Sequence, residues 1–195
     1  IALVESGPVG GCIGAARYAA ELGIDNVIAF DMGGTTAKCA LVMNAQFDVQ
    51  PLYYVGGYDH GFPIRTPVID IVEVGAGGGS IARIDNGGDF TVGPQSAGSE
   101  PGPVTDANLV LGRIGTGKFM GGRLTLDVER ARQAIATRIA EPLGFGNADG
   151  VDVAAQGILD LANVAMTNAI KEISIERGYD VREFALFVFG GSGPL

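Results

Sequence analysis

Cysteine is nearly absent from this chain: Cys12 and Cys39 are the only two in 195 residues. That is too few for the disulfide framework of a small secreted domain. Both lie among apolar neighbours, where a reduced, buried thiol is the expected state. Histidine is scarcer still, with one residue, His60, which leaves little from which to build an imidazole metal centre. Lys and Arg number 13 against 22 Asp and Glu, a formal net charge of −9. That balance, without any basic run, excludes the cationic footprint a nucleic-acid backbone requires. No apolar stretch reaches the roughly 18 uninterrupted residues of a membrane-spanning helix. Nor does the sequence open on a basic, apolar, cleavable leader. The expected location is cytoplasmic, with no membrane and no nucleic-acid partner.

Hydrophobic residues make up 47% of the chain and charged residues 18%, the proportions of a folded domain and not of a disordered one. The length suits one domain or one large lobe. Glycine is plentiful, with 32 residues. The glycines form short clusters without a Gly-X-Y period, which excludes collagen and leaves tight turns or ligand loops. The chain begins at Ile1 and ends just after a Gly-rich turn that ordinarily leads into a helix. It is therefore read as a piece of something longer.

Ser6, Pro8 and Gly23 punctuate an expected helix over residues 8–22. Its Gly10, Gly11, Gly14, Ala15, Ala16, Ala19 and Ala20 suit close approach to a neighbouring helix. Residues 27–30 and 37–43 read as strands, with Asp31-Met32-Gly33-Gly34-Thr35-Thr36 in a hairpin-like loop between them. An irregular excursion is expected over 51–67, then one buried strand over 68–74 carrying Asp70 and Glu73. Residues 81–85 and 89–92 flank Asn86-Gly87-Gly88, a hairpin signal. A loop is expected over 93–104, with helix or turn from Thr105. A helix from Asp127 ends near Pro142. The longest helix, capped by Asp152 and closed by Gly178, carries Ile158, Leu161, Ala162, Ala165, Met166, Ala169, Ile170 and Ile173 at core spacing. The last strand, 184–189, runs into Gly190-Gly191-Ser192-Gly193-Pro194. These elements together read as α/β with a mixed sheet.

In the first Gly loop, Gly33 and Gly34 permit close backbone approach to a phosphate, and successive N–H groups form an anion-binding concavity. Thr35 and Thr36 add hydroxyl donors. Asp31 suits the water shell of Mg²⁺, which uses few carboxylates. The competing reading is an ordinary hairpin turn. The loop is neither a Walker A loop nor a Rossmann fingerprint. The second loop, Gly190, Gly191, Ser192 and Gly193, offers glycine backbone to a flat base or ribose, or is a plain strand-to-helix turn. Gly77, Gly78, Gly79 and Ser80 form a third run of donors, for phosphate or substrate, or a tight crossover turn. Asp59 and His60 are the candidate metal or proton-shuttle pair, against a plain surface histidine. Asp70 and Asp106 are isolated carboxylates near Gly-rich loops, candidates for a general base or for buried capping.

The order of small-residue helix, Asp-x-Gly-Gly-Thr loop, long helix, strand and Gly-Gly loop resembles the actin, sugar kinase and heat-shock chaperone superfamily. A finer resemblance is to the hydantoinase A and 5-oxoprolinase family. It is carried by Ser6-Gly7-Pro8, Phe30-Asp31-Met32-Gly33-Gly34-Thr35, Gly75-Ala76-Gly77-Gly78-Gly79-Ser80-Ile81-Ala82 and Val92-Gly93-Pro94-Gln95-Ser96-Ala97-Gly98. Pro101-Gly102-Pro103, Thr105-Asp106-Ala107-Asn108 and Phe189-Gly190-Gly191-Ser192-Gly193-Pro194 complete it. Where that family often carries Thr-Asp, this chain has Ala37-Lys38. Lys38 is thereby a candidate for direct contact with a phosphate or an acidic substrate, as on the carboxylase side of the family.

The resemblance implies a ribonuclease H-like second lobe of a hydantoinase A-type ATP-binding domain over 1–195. It also implies ATP and Mg²⁺ or another divalent cation, and a partner catalytic subunit of hydantoinase B type within a homo- or hetero-oligomer. The implied activity of the parent enzyme is ATP-dependent opening of a hydantoin- or oxoproline-like ring through phosphoryl activation. The alternatives are ATP-dependent carboxylation of a ketone, or a sugar kinase- or chaperone-type ATPase lobe. Phosphate loops on the first lobe are required as well, so the 195 residues alone are expected not to turn over ATP.

Overall fold

The computed structural model describes residues 6–55, 61–96, 103–116, 125–193 and 195. The chain separates into two compact units. One comprises residues up to Asp31, Lys38–Glu73 and Ala169–Gly190; the other comprises Met32–Ala37, Val74–Asn168 and Gly191–Leu195.

The first unit is built on a five-stranded mixed sheet. Helix α1 (Ser6–Leu22) is followed by β1 (Asn26–Met32), β2 (Ala37–Met43) and the short β3 (Gln46–Phe47). Strand β4 (Val49–Gln50), β5 (Tyr53–Val55), β6 (Phe62–Ile64), β7 (Val68–Ile69) and β8 (Val72–Val74) come next, and β11 (Ala185–Phe189) closes the chain's strands. The sheet order is β11-β1-β2-β3, with β8 also paired to β2. Strand β1 is apolar on both faces, and Val27, Ile28, Ala29 and Phe30 are all buried, as a strand covered on both sides requires. It pairs parallel with β11, in a register from Val27↔Ala185 to Asp31↔Phe189. Strand β3 pairs antiparallel with β2.

Helix α1 ends at Gly23, whose φ of 67° suits a glycine cap. The small residues on its buried face pack on the sheet, whereas Gly10 and Ala20 are exposed. Cys12, Ala15, Ala16 and Ala19 pack with Val27, Ala29, Ala40 and Val42, and with Phe187 and Phe189 beside them. A Cβ on Gly11 would overlap the Phe189 ring, which is why a residue without a side chain stands there.

Two expectations change here. The excursion over 51–67 contains a paired hairpin, β5 against β6, with Tyr53↔Ile64 and Val55↔Phe62 in register. Its Pro63 is tolerated because a two-stranded ribbon leaves edges that need no N–H. The single strand expected over 68–74 is two. Strand β7 pairs with β4, β8 pairs with β2, and Asp70 between them turns inward to meet Arg177.

The second unit holds hairpin β9 (Ser80–Ile84) and β10 (Phe90–Ser96), then α2 (Val104–Val110), α3 (Val128–Ile135) and α4 (Ala148–Ile173), whose last turn belongs to the first unit. Asp85 Oδ1 accepts from the N–H groups of Gly87 and Asp89 at 2.8 and 3.0 Å, which closes the hairpin turn. Strand β10 runs on to Ser96, past the expected end at Val92, by way of a shifted register between Val92 and Ser96. Asp127 caps α3 by accepting from the Arg130 N–H at 3.0 Å; the helix then continues as a π-helical turn over Ala136–Ala140.

Helix α4 starts earlier than its expected Asp152 cap. Asn147 Oδ1 accepts from the Gly150 N–H at 2.7 Å, the N-cap arrangement. Asp152 instead pairs with Arg132 at 2.9 Å. The core gathers Ile135, Ile139, Val151, Ala155, Ile158 and Ala162 around Ala82, Val104 and Ala107. Among the described residues, no helix is long and apolar enough to cross a membrane.

Candidate functional site

Strands β1 and β11 are parallel neighbours, so the turns after both leave the sheet at the same, carboxyl end. In α/β proteins this is where ligands bind. Within the second unit the two turns meet: the Ser192 N–H donates to the Met32 carbonyl at 2.8 Å. Ser192 is buried, and a Cβ on Gly78 would collide with its hydroxyl. Three Gly-rich segments far apart in sequence thus come together: Gly33–Thr36, Gly77–Ser80 and Gly191–Gly193.

The hydrogen bonds divide the labour among them. Gly77 donates to Ser80 Oγ at 2.8 Å, and the Ser80 N–H donates to the Gly77 carbonyl at 3.0 Å. The Gly78 N–H donates to the Gly33 carbonyl at 3.1 Å and the Gly79 N–H to the Gly34 carbonyl at 2.7 Å. All four backbone donors of Gly77–Ser80 are therefore engaged inside the protein. The segment acts as a buttress for the first loop. Glycine is needed at 77 because a Cβ would stand 2.6 Å from the Gly33 oxygen and 2.7 Å from the Gly34 carbonyl carbon.

The buttress has a directional consequence. In a planar trans peptide the C=O and the following N–H point in opposite directions. Holding the carbonyls of Gly33 and Gly34 against Gly78 and Gly79 turns the N–H groups of Gly34 and Thr35 away from the buttress. Among the described residues, nothing accepts from the N–H groups of Gly34, Thr35 or Thr36. Gly34 and Thr35 are exposed. The Gly33 N–H is spent on the Thr36 carbonyl at 2.9 Å, which closes the turn. Successive unspent N–H groups on a glycine-containing turn are the chemistry of an anion nest.

The charged candidates sit differently. Asp31, the penultimate residue of β1, is half-buried, and burial raises its carboxyl pKa while Lys38 pulls it down. Lys38, near the start of β2, is largely buried and pairs with Glu73 Oε2 at 3.4 Å. Asp70 is 6% exposed, and its carboxylate faces the Arg177 guanidinium, with a second contact from Nη2 to Oδ1 at 3.3 Å. Its own N–H donates to the Asp48 carbonyl at 2.9 Å. This geometry anchors the segment after α4 and gives Asp70 a structural role. Asp106 lies in the first turn of α2. Asp59 and His60 lie outside the described residues. Among the described residues no three His, Cys, Asp or Glu side chains gather as a metal cluster. A single carboxylate such as Asp31 is nonetheless the usual protein share of a Mg²⁺–polyphosphate site.

Residues outside the sequence-level candidates also hold the loop. Ser96 Oγ donates to the Gly34 carbonyl at 3.3 Å. Thr105 donates to the Gly78 carbonyl through both its N–H, at 2.9 Å, and its hydroxyl, at 2.7 Å. Their partners lie 62 and 27 residues away in sequence, so no local pattern reveals them.

Comparison with known proteins places these features. The hydantoinase/oxoprolinase family model matches residues 1–195. The caprolactamase α subunit of Pseudomonas jessenii is 42% identical over 207 residues, covering 98% of this chain and 28% of that protein. The acetophenone carboxylase γ subunit of Aromatoleum aromaticum is 38% identical over 205 residues, covering 97% of this chain and 27% of that protein. Among solved structures, nucleotide-free acetone carboxylase, from work on ATP-dependent acetone carboxylation, matches with a TM-score of 0.82 at 31% identity. That match covers 97% of this chain and 27% of the other. The chain thus spans less than a third of the length of the curated relatives it matches.

Proposed function

The chain belongs to the hydantoinase/oxoprolinase family within the actin-like ATPase superfamily, and on that premise we propose that residues 1–195 are the second lobe of an ATP-binding domain in a larger ATP-dependent enzyme. The observation that carries this reading is the buttressed Gly33–Thr36 turn, with the N–H groups of Gly34 and Thr35 aimed outward, tied to the turn after β11 through Ser192 and Met32.

In this reading the N–H groups of Gly34, Thr35 and Thr36, with the two threonine hydroxyls, hold phosphate oxygens. Asp31 accepts from the water shell of the accompanying Mg²⁺. Gly190, Gly191, Ser192 and Gly193 form the adenosine side. Gly77, Gly78, Gly79 and Ser80 act behind the phosphate loop. Lys38, paired with Glu73, supplies positive charge beside Asp31, and Asp106, in the first turn of α2, is the candidate general base. ATP supplies a γ-phosphoryl group that turns a substrate oxygen into a leaving group; the protein's share is to align it and neutralise its charge.

Ring opening of a hydantoin or oxoproline is narrower than the relatives support. Acetophenone and acetone carboxylases are among them, and Ala37-Lys38, in place of the Thr-Asp frequent in the family, resembles the variant of the carboxylase side. Carboxylation of a ketone is therefore the leading reading. ATP-driven opening of a cyclic amide is the second, favoured by the 42% identity to a caprolactamase subunit. Both relatives are named as subunits, which supports a partner catalytic subunit of hydantoinase B type.

The test is ATP consumption by the intact enzyme over ketones with bicarbonate, lactams, hydantoins and oxoproline. Calorimetric titration with MgATP accompanies it, on wild type and Asp31→Ala. Substrate-dependent ATP use, with binding weakened by Asp31→Ala, is expected. No MgATP binding by the wild-type protein would end the reading; ATP use with cyclic amides alone would return it to ring opening.

A further inference from the structure

The Gly78–Gly79 peptide is a single rigid plane with a job at each end. Its carbonyl accepts from both the N–H and the hydroxyl of Thr105, at 2.9 and 2.7 Å. Its N–H, that of Gly79, donates to the Gly34 carbonyl at 2.7 Å. One donor from Thr105 would satisfy the carbonyl. Two donors from one residue occupy both of its lone pairs and restrict rotation of the plane about its flanking Cα atoms. Glycines on both sides of that plane would otherwise give it unusual rotational freedom.

We infer that Thr105 is a positioning residue for the anion-binding turn: by clamping the Gly78–Gly79 peptide, its hydroxyl fixes the Gly34 carbonyl inward and so aims the Thr35 N–H outward. The inference deepens the nucleotide reading and rests on it. It also ties the first turn of α2, which carries Asp106, to the phosphate side of the site through one peptide unit. Binding energy at the turn then depends on how α2 begins.

The experiment uses the intact enzyme with MgATP as the probe. Thr105→Val keeps the shape and the backbone donor but removes the hydroxyl; Thr105→Ser restores it. Thr105→Val is expected to raise the KM for MgATP roughly threefold to tenfold, the worth of one hydrogen bond, with the KM of the second substrate unchanged. Thr105→Ser is expected to return it to within about twofold of wild type. Amide exchange of the 75–81 segment, read without nucleotide, is expected to quicken in Thr105→Val and not in Thr105→Ser.

Wild-type KM and exchange in Thr105→Val would overturn the inference, as would equal impairment in the two variants. A Thr105→Val protein that does not fold would also count against it, because the hydroxyl would then serve stability and not the turn. If wild type does not bind MgATP but the exchange still responds to the lost hydroxyl alone, the nucleotide reading falls and the clamp stands.

Discussion

Gly77→Ala tests the buttress directly. The added Cβ would lie 2.6 Å from the Gly33 oxygen, 2.7 Å from the Gly34 carbonyl carbon and 2.8 Å from the Gly34 oxygen. A tolerable carbon–oxygen contact is about 3.3 Å, so the two backbones must separate by roughly 0.7 Å at the tightest point. All three obstructing atoms are main chain, so no side-chain rotation relieves the overlap.

The same displacement stretches the Gly78–Gly33 bond, 3.1 Å, and the Gly79–Gly34 bond, 2.7 Å. Each is worth about 1 kcal/mol net, and overpacking adds about 1–3 kcal/mol. The expected destabilisation is about 3–5 kcal/mol, a Tm lowered by roughly 6–20 °C for a chain of this size. Thermal and urea unfolding measure it. Gly34→Ala is the matched control, since a Cβ there meets nothing within 4 Å, and it is expected to stay within about 0.5 kcal/mol of wild type. If Gly77→Ala unfolds where Gly34→Ala does, the loops do not press on one another as described, and the outward aim of the Gly34 and Thr35 N–H groups loses its cause.

Three further outcomes are expected. Gly11→Ala drives a methyl group into the Phe189 ring and should cost about 1–3 kcal/mol; in a double-mutant cycle, Phe189→Ala should remove most of that cost, and strict additivity would refute the contact. Burial raises the Asp31 pKa above its ordinary value, so the folded state binds the proton more tightly than the unfolded one and stability falls as pH rises through that window. Asp31→Asn should therefore stabilise the protein at neutral pH, make no difference in acid where both states are protonated, and weaken MgATP binding; equal stability at neutral pH would contradict the burial. The thiols of Cys12 and Cys39 are pushed up by burial to about 11 and about 12. They should resist alkylation in the native protein at mildly alkaline pH and react only on unfolding, as mass spectrometry of the labelled protein would record.

Much of this molecule was legible along the chain because its causes are local. The apolar run of β1, the glycine stop at Gly23, the Asp127 cap and the turn at Asp85–Asp89 each follow from residues within a few positions of one another. The succession of Gly-rich blocks likewise points to the family by its order along the chain. What failed to show were the features whose partners lie far off. Asp70 broke an expected strand because it reaches Arg177, 107 residues away. The small face of α1 met a sheet, because Phe189 arrives from the other end of the chain.

The deepest division runs through the glycine loops themselves. As sequence, Gly33–Thr36 and Gly77–Ser80 look alike: flexible backbone rich in unassigned N–H groups. Only the tertiary structure distinguishes them. The donors of Gly78 and Gly79 are spent on the carbonyls of Gly33 and Gly34, those of Gly77 and Ser80 close their own turn, and a planar peptide then leaves the N–H groups of Gly34 and Thr35 facing outward. The amino-acid order decides which segments are able to approach one another so closely; the fold decides which of them supports and which remains open to bind.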